Sequence, residues 1–513
     1  MIYTALDAAV PAIPVFVTAS CLLLLFNSFG RWYKTRSIPV VNKPSCWNWS
    51  SSGAKQNYFM RGEELIKDGL KTAKSFLLQT DSGRKLILSP DFAQEIKGHK
   101  DLDFRKYVRE DMLSHTPGLE PFHYGATDDG LGPDIVKAKL TSQLPMVTGP
   151  LSEEASLTLE DLWTSDAEWH DIPGRETCLE IIARVSSRVF LGPKLCRDPT
   201  ILKLEVDYTV ISMTAIDTLK MWPRILRPFV HWVLPQFRQV RNAIYEFRQL
   251  MQPELERRKQ ERAECEKVKA PAPRYNDMIE WLEEVARGRP YDHVYSQLAM
   301  SLAAIHTTSD LLTKAIYNLC IHPEILQPLR EEIVEVLEQD GWKKTSLSKL
   351  KLLDSFLKET QRMNPLNIVS MQRLATKDVR LADGTLIPKG MLMEIYSERM
   401  WNSGVHADPE TFDPWRFLKM RQRPGLENVS QFVSTSTDHI AFGHGTFSCP
   451  GRFFASNELK IILVHAIMKY DLTFSEPVAE PIIRFARNRV PNPTVKLRLR
   501  RRKAEVDLDS LPV

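Results

Sequence analysis

Residues 442–452, FGHGTFSCPGR, place one cysteine, Cys449, in a glycine-bounded turn directly before an apolar run, FFASNELKIILVHAIM, that has the pattern of a helix. A thiolate there would sit at the positive end of the helix, where unpaired N–H groups favour an anion. Gly443, Gly445 and Gly451 permit tight turns and close approach of the backbone to a flat group. Phe442 is placed to cover the sulfur and keep water from it. The turn therefore reads as a cysteine that ligates a metal carried in a flat cofactor. A buried structural cysteine ahead of a helix is the competing reading, because free cysteine is usually a small buried hydrophobe.

The other cysteines suggest no different use. Cys21, Cys46, Cys178, Cys196, Cys265 and Cys320 are scattered and never form C-x-x-C, so a disulfide framework or a zinc site is not indicated. The pattern suits a reducing compartment. A net charge of +4 over 513 residues, with acids and bases interleaved, does not argue for nucleic acid.

Residues 8–30 carry no charge and end in CLLLLF before the flank RWYKTR. About 20 apolar residues cross a bilayer as a helix. The basic flank follows the apolar run, so residues 1–30 read as a membrane anchor with the bulk of the chain on the cytosolic side; a cleaved signal peptide would carry its basic residues first. Residues 31–50 form a basic, proline-marked connector, and residues 51–513 the main body.

That body is mainly helical in pattern, with short β-like runs at 75–80, 85–88, 379–381, 386–387, 392–396 and 494–499. Residues 382–385, ADGT, read as a hairpin turn, and residues 103–133 as a long irregular loop. Residues 221–237, MWPRILRPFVHWVLPQF, mix tryptophan, proline, bulky apolar and basic residues, which suits a segment lying on a membrane surface. Residues 265–276 read as an exposed linker.

Three further patterns carry chemistry. A long helical stretch, residues 296–319, has a small, polar middle, AAIHTTS, in which Thr307 can bond the carbonyl one turn back and His306 can relay protons near neutral pH. Glu359 and Arg362 share a helix face in the E-x-x-R of LLDSFLKETQRMNP. Arg416 lies in the aromatic, proline-bent loop FDPWRF, and on reaching the Glu359–Arg362 pair would complete a buried bidentate cluster.

In this order, A-A-I-H-T-T, E-x-x-R, F-x-P-x-R-F and F-G-H-G-x-x-x-C-P-G-R, the chain resembles the cytochrome P-450 superfamily from anchor to C-terminus. The resemblance implies a mainly α (α+β) fold with small sheets, haem b as cofactor, and monooxygenation. Cys449 matches the thiolate ligand of the iron, and Phe442, Gly443, His444 and Gly451 belong to the loop that shields and shapes it. Thr307 matches the threonine that helps deliver protons, with His306 beside it. Glu359, Arg362 and Arg416 match a structural cluster behind the haem, and Arg373 a propionate partner. Electrons are expected from a membrane-bound NADPH-cytochrome P-450 reductase, with cytochrome b5 as a second donor, at the endoplasmic reticulum.

The chain departs from the family pattern at several points. His306 stands where many members carry an acid, and Ala304 where glycine is commoner. Phe447 replaces a basic residue that usually holds a propionate, with His444 the nearest candidate to compensate. No W-x-x-x-R occurs in 134–144, where Lys137 and Lys139 are stand-ins.

The A-I-H-T-T-S helix, the P-V-V-N-K-P connector and the W-P-x-x-L-R-P-x-x-H-W segment are similar to filamentous-fungal members acting on terpenoids and meroterpenoids. Phe122, Leu302, Ala303, Ile368, Val369 and Met371 are expected to line a pocket for a bulky apolar substrate. Two readings compete: a same-fold enzyme that rearranges or dehydrates an oxygenated lipid without dioxygen, and a non-enzymatic haem-binding protein.

Overall fold

The computed structural model describes residues 33–43, 52–125 and 130–512. The expected anchor, residues 1–30, and residues 31–32 and 44–50 of the connector lie outside them. No helix among the described residues is long and apolar enough to cross a membrane.

Helices dominate. After α1 (Ser52–Thr72) come α2 (Phe104–Asp111), α3 (Glu120–Tyr124), α4 (Leu131–Ile135), α5 (Leu144–Trp163), α6 (Gly174–Phe190), α7 (Pro199–Lys220), α8 (Pro235–Lys267) and α9 (Met278–Ala286). The long central helix α10 (His293–Ile321) follows, then α11 (Leu326–Asp340), α12 (Lys351–Met363) and α13 (Arg452–Lys469). The Asp292 side chain caps α10 by accepting from the Tyr295 N–H, and the helix ends at Ile321, two residues before Pro323. Its buried face, which includes Ile305, Leu312, Ala315, Ile316 and Leu319, forms the centre of the largest apolar cluster. Helix α13 supplies Leu459, Ile461, Ile462, Leu463 and Val464 to the same cluster.

A six-stranded sheet flanks this bundle in the order β1 (Val40–Val41), β2 (Ser75–Thr80), β3 (Gly83–Leu88), β9 (Leu392–Tyr396), β6 (Val369–Ala375), β4 (Leu102–Asp103). Strands β6 and β9 run antiparallel, with a register shift between Ser370 and Arg373. Met371, inside the shift, has φ of 51°. Such a bulge inserts an extra residue and re-aims the side chains that follow; here it turns the strand at Arg373. The pair β7 (Val379–Arg380) and β8 (Leu386–Ile387) closes the expected hairpin, with Gly384 at φ of 89° in the turn.

Several elements differ from the sequence expectation. Residues 103–133 contain three short helices, α2, α3 and α4, rather than one irregular loop. Asp103 caps α2 by accepting from the N–H groups of Arg105 and Lys106, and Tyr107 and Phe122 are buried. Strand β5 (His170–Pro173) pairs with β13 (Lys496–Arg501), which also pairs with β10 (Tyr470–Phe474), while β11 (Ile482–Phe485) and β12 (Asn488–Pro491) form a hairpin. The β5–β13 and β10–β13 pairings span long sequence separations, which local patterning does not reveal. Residues 265–267 complete α8, and the chain leaves regular structure only beyond them.

Candidate active site

The loop before α13 is built by backbone constraints. The Cys449 N–H donates to the Phe442 carbonyl at 2.7 Å, closing the turn. Gly443 and Gly445 have φ of 69° and 77°. A Cβ on Gly445 would lie 2.2 Å from the Lys97 carbonyl oxygen, which accepts from the Thr446 N–H at 2.9 Å. Glycine is thus required at 445 by conformation and by space together. A Cβ on Gly451 would meet only Val136 Cγ1, at 4.0 Å.

Gly451 precedes the first turn of α13, so the helix begins directly beyond the cysteine. The N–H groups of Gly451 and Arg452 donate to the Cys449 sulfur. Burial pushes the thiol pKa up, while these two donors and the Arg452 charge pull it down. Arg452 Nη1 also donates to the Cys449 carbonyl at 2.7 Å, and its Nε to the Val433 carbonyl at 3.0 Å. Phe442 packs edge-on against Phe432, with ring centroids 5.3 Å apart. His444 Nδ1 lies 3.1 Å from Thr435 Oγ1, and burial lowers its pKa.

Behind the loop, Glu359 is fully buried and faces two guanidinium groups. Arg362 Nε and Nη2 donate to its two oxygens, each at 2.8 Å, and Arg416 Nε donates to both, at 3.0 and 3.1 Å. The remaining guanidinium N–H groups take carbonyls: Arg362 Nη1 those of Met400 and Pro409, and Arg416 Nη2 that of Thr411. The structure thus brings Arg416 onto the Glu359–Arg362 pair, and nearly every donor is satisfied, which a buried ion cluster demands.

On α10, Thr307 Oγ1 donates to the Ala303 carbonyl at 2.8 Å. Ala303 and Thr307, one turn apart, form an exposed stripe on an otherwise buried helix, with Leu302 and Ala304 half-buried at its edge. His306 points elsewhere: Nε2 lies 3.2 Å from the Val206 carbonyl of α7. A carbonyl only accepts, so Nε2 carries the proton, and burial lowers the imidazole pKa. The Nε2 proton is thus committed to α7.

Arg373, delivered by the β6 bulge, is buried. Nη1 donates to the Gln372 carbonyl at 2.7 Å, whereas Nε and Nη2 find no partner among the described residues. Burial lowers its pKa to about 10, against the pull of Asp103. A buried guanidinium with two open N–H directions calls for an anion. Phe447, which replaces the expected base, lies beneath it: the Arg373 guanidinium carbon is 4.8 Å from the ring centroid, and that of Arg105 6.0 Å. Phe447 therefore serves as an aromatic platform for two arginines. Arg105 was not singled out from the sequence; its position just inside the Asp103-capped helix was the available signal. Lys137 is exposed, and Lys139 pairs with Glu284.

The expected pocket lining divides. Ala303 is exposed and Leu302 half-buried. Phe122, Ile368, Val369 and Met371 are almost wholly buried within apolar clusters, where neighbouring strands and helices cover them.

A sulfur held by two N–H donors at a helix start, a guanidinium with two open N–H directions and a small-residue stripe fit a haem: a thiolate for the iron, a cation for a propionate, and a helix that a flat ring can approach. Known proteins agree. The family model described as cytochrome P450 matches residues 175–499. The cytochrome P450 monooxygenase ntnM of a Nectria species is 42% identical over 479 residues, covering 93% of this chain and 90% of that protein. The cytochrome P450 monooxygenase adrA of Penicillium rubens is 40% identical over 496 residues, covering 96% of each. Among solved structures, retinoic acid bound cyanobacterial CYP120A1 is similar in fold, with a TM-score of 0.62 at 17% identity, covering 87% of this chain and 96% of that one.

Proposed function

This chain belongs to the cytochrome P450 family and is a haem-dependent monooxygenase; from that premise we propose that it oxidises a bulky apolar substrate, a terpenoid or meroterpenoid of fungal secondary metabolism, with electrons from an NADPH-dependent reductase. The observation that carries the reading is the Cys449 sulfur with its two N–H donors at the start of α13. The apolar stripe at Leu302, Ala303 and Ala304 and the fungal sources of the relatives support the substrate class.

Each residue has a definable task. Cys449 would hold the iron as thiolate, and the Gly451 and Arg452 N–H groups would stabilise its charge. Arg373 would take a propionate at its two open N–H directions. The haem supplies dioxygen activation when bound. Ala303 and Ala304 keep the middle of α10 slim enough for substrate to approach. Thr307, its hydroxyl proton committed to the Ala303 carbonyl, offers its oxygen lone pairs to accept a proton and hand it on. Glu359, Arg362 and Arg416 fix α12 against the segment that carries Arg416.

A membrane setting is part of the same proposal. The charge-free run 8–30 with its basic flank supports an anchor with the body on the cytosolic face of the endoplasmic reticulum. The segment between α7 and α8 supports it too: Met221, Ile225, Phe229, Trp232 and Val233 are exposed beside Arg224 and Arg227, a mixture that suits a lipid interface.

The test is spectroscopic. Reduced protein under carbon monoxide is expected to show the thiolate-type Soret shift, and Cys449→Ser to abolish it. A shift that survives the substitution sinks the assignment. Product formation from terpenoid substrates with NADPH and reductase tests the substrate class.

A further inference from the structure

Three helices meet at a carboxyl that has no counter-ion. Glu205, on α7, is fully buried. Ser187 Oγ of α6 is hydrogen-bonded to Oε2 at 2.6 Å, and Ser301 Oγ of α10 to Oε1. Among the described residues no lysine, arginine or histidine side chain bonds to it, and the two serines are the side chains hydrogen-bonded to it. The next residue, Val206, holds His306 through its carbonyl. Helix α7 is therefore pinned to α10 at two points, Ser301 and His306, that bracket the turn leading to Thr307. Ser186, beside Ser187, donates in turn to Oε1 of Glu458 on α13, at 2.6 Å, so the same edge of α6 reaches the cysteine helix.

A lone carboxylate is costly in such a place, because it loses its hydration and gains no cation. Protonated, the group is a neutral acid that accepts from one serine and donates to the other. Burial accordingly raises its pKa to about 7.

We propose that Glu205 is a positioning residue that, as a neutral carboxylic acid shared by Ser187 and Ser301, clamps α7 to α10 beside the His306–Val206 contact and so holds the Thr307 turn in place. Loss of the proton leaves a charge between two hydroxyls in an apolar contact, and the clamp loosens. The proposal rests on Thr307 facing the reacting site, but the clamp itself is readable without turnover.

The test is amide hydrogen exchange of residues 301–308 in full-length, haem-loaded protein, corrected for the intrinsic pH dependence of exchange. In the wild type, protection is expected to fall about tenfold between pH 6 and pH 8.5. Glu205→Gln, neutral at every pH and able to bond both serines, is expected to keep its protection at both. Glu205→Leu is expected to be loose already at pH 6; where it does not fold, Ser301→Ala takes its place and is expected to loosen the same residues. Wild-type protection that does not change with pH, or a Glu205→Gln variant as pH-sensitive as the wild type, overturns the clamp. A Thr307→Ala enzyme that retains full coupling would instead overturn the role given to Thr307, with the exchange result unaffected.

Discussion

Arg416 Nε lies 3.0 and 3.1 Å from the two oxygens of Glu359, although the residues sit in different elements far apart in the chain. One buried carboxylate thus serves Arg362 on its own helix and Arg416 from the start of the short helix Arg416–Arg421. Removing one cation leaves an incompletely compensated buried charge. Arg416→Ala is expected to cost about 3–5 kcal/mol and to yield protein with little haem. Thermal unfolding and the haem-to-protein ratio measure both, and a variant with wild-type values on each would contradict the cluster's structural role.

The two turn glycines are expected to behave differently. Gly445→Ala forces a left-handed backbone on a residue with a side chain and drives its Cβ into the Lys97 carbonyl, at a cost of about 1–3 kcal/mol. Gly451→Ala meets nothing closer than 4.0 Å and is expected to be nearly neutral. Melting temperatures of the pair check the contrast.

Arg373→Gln removes the guanidinium whose Nε and Nη2 are open. Haem is expected to be lost faster on transfer to apomyoglobin, while the reduced, carbon monoxide-bound spectrum of the remaining holoprotein stays thiolate-type. Unchanged haem loss would remove Arg373 as a propionate partner.

Glu458 gives a pH dependence with a definite sign. Burial raises its pKa to about 8 from an ordinary 4.5, so the folded state holds the proton more tightly than the unfolded one. Its contribution is complete below about pH 4.5 and is lost as pH rises to about 8. Glu458→Gln is expected to flatten that part of the stability profile, read from melting temperature against pH. An unaltered profile would mean that Glu458 is charged in the fold.

At the oxygen side, Thr307→Ala is expected to uncouple NADPH consumption from product while leaving haem content intact. His306→Ala is also expected to alter coupling more than haem content, through the lost Val206 contact. If His306→Gln, whose amide can still donate to that carbonyl, restores coupling, the contact matters; if it does not, the imidazole itself does.

Much of the site is readable along the chain because its parts are local. The cysteine turn, the Glu359–Arg362 spacing and the Thr307 back-bond each lie within a few residues, where glycine conformation and helix periodicity act directly. The strand pairs 75–80 and 83–88, and the hairpin at 382–385, are legible for the same reason. The helices within 103–133 were not, because α2, α3 and α4 are short and depend on packing more than on propensity. Phe447 misled in a specific way: it reads as a lost base, and only its place beneath Arg373 and Arg105 shows what it does.

By itself the sequence determined the metal-binding turn, the helix that faces it and the ion pair behind it, since each is written in short-range spacing. Tertiary structure decided where the long-range partners went. It brought Arg416 to Glu359, turned His306 toward Val206, aimed Arg373 through a bulge and placed Glu205 between two serines. Those choices depend on which buried polar groups meet once the apolar faces have packed, and burial, which makes an unpaired charge so costly, exists only in the folded chain.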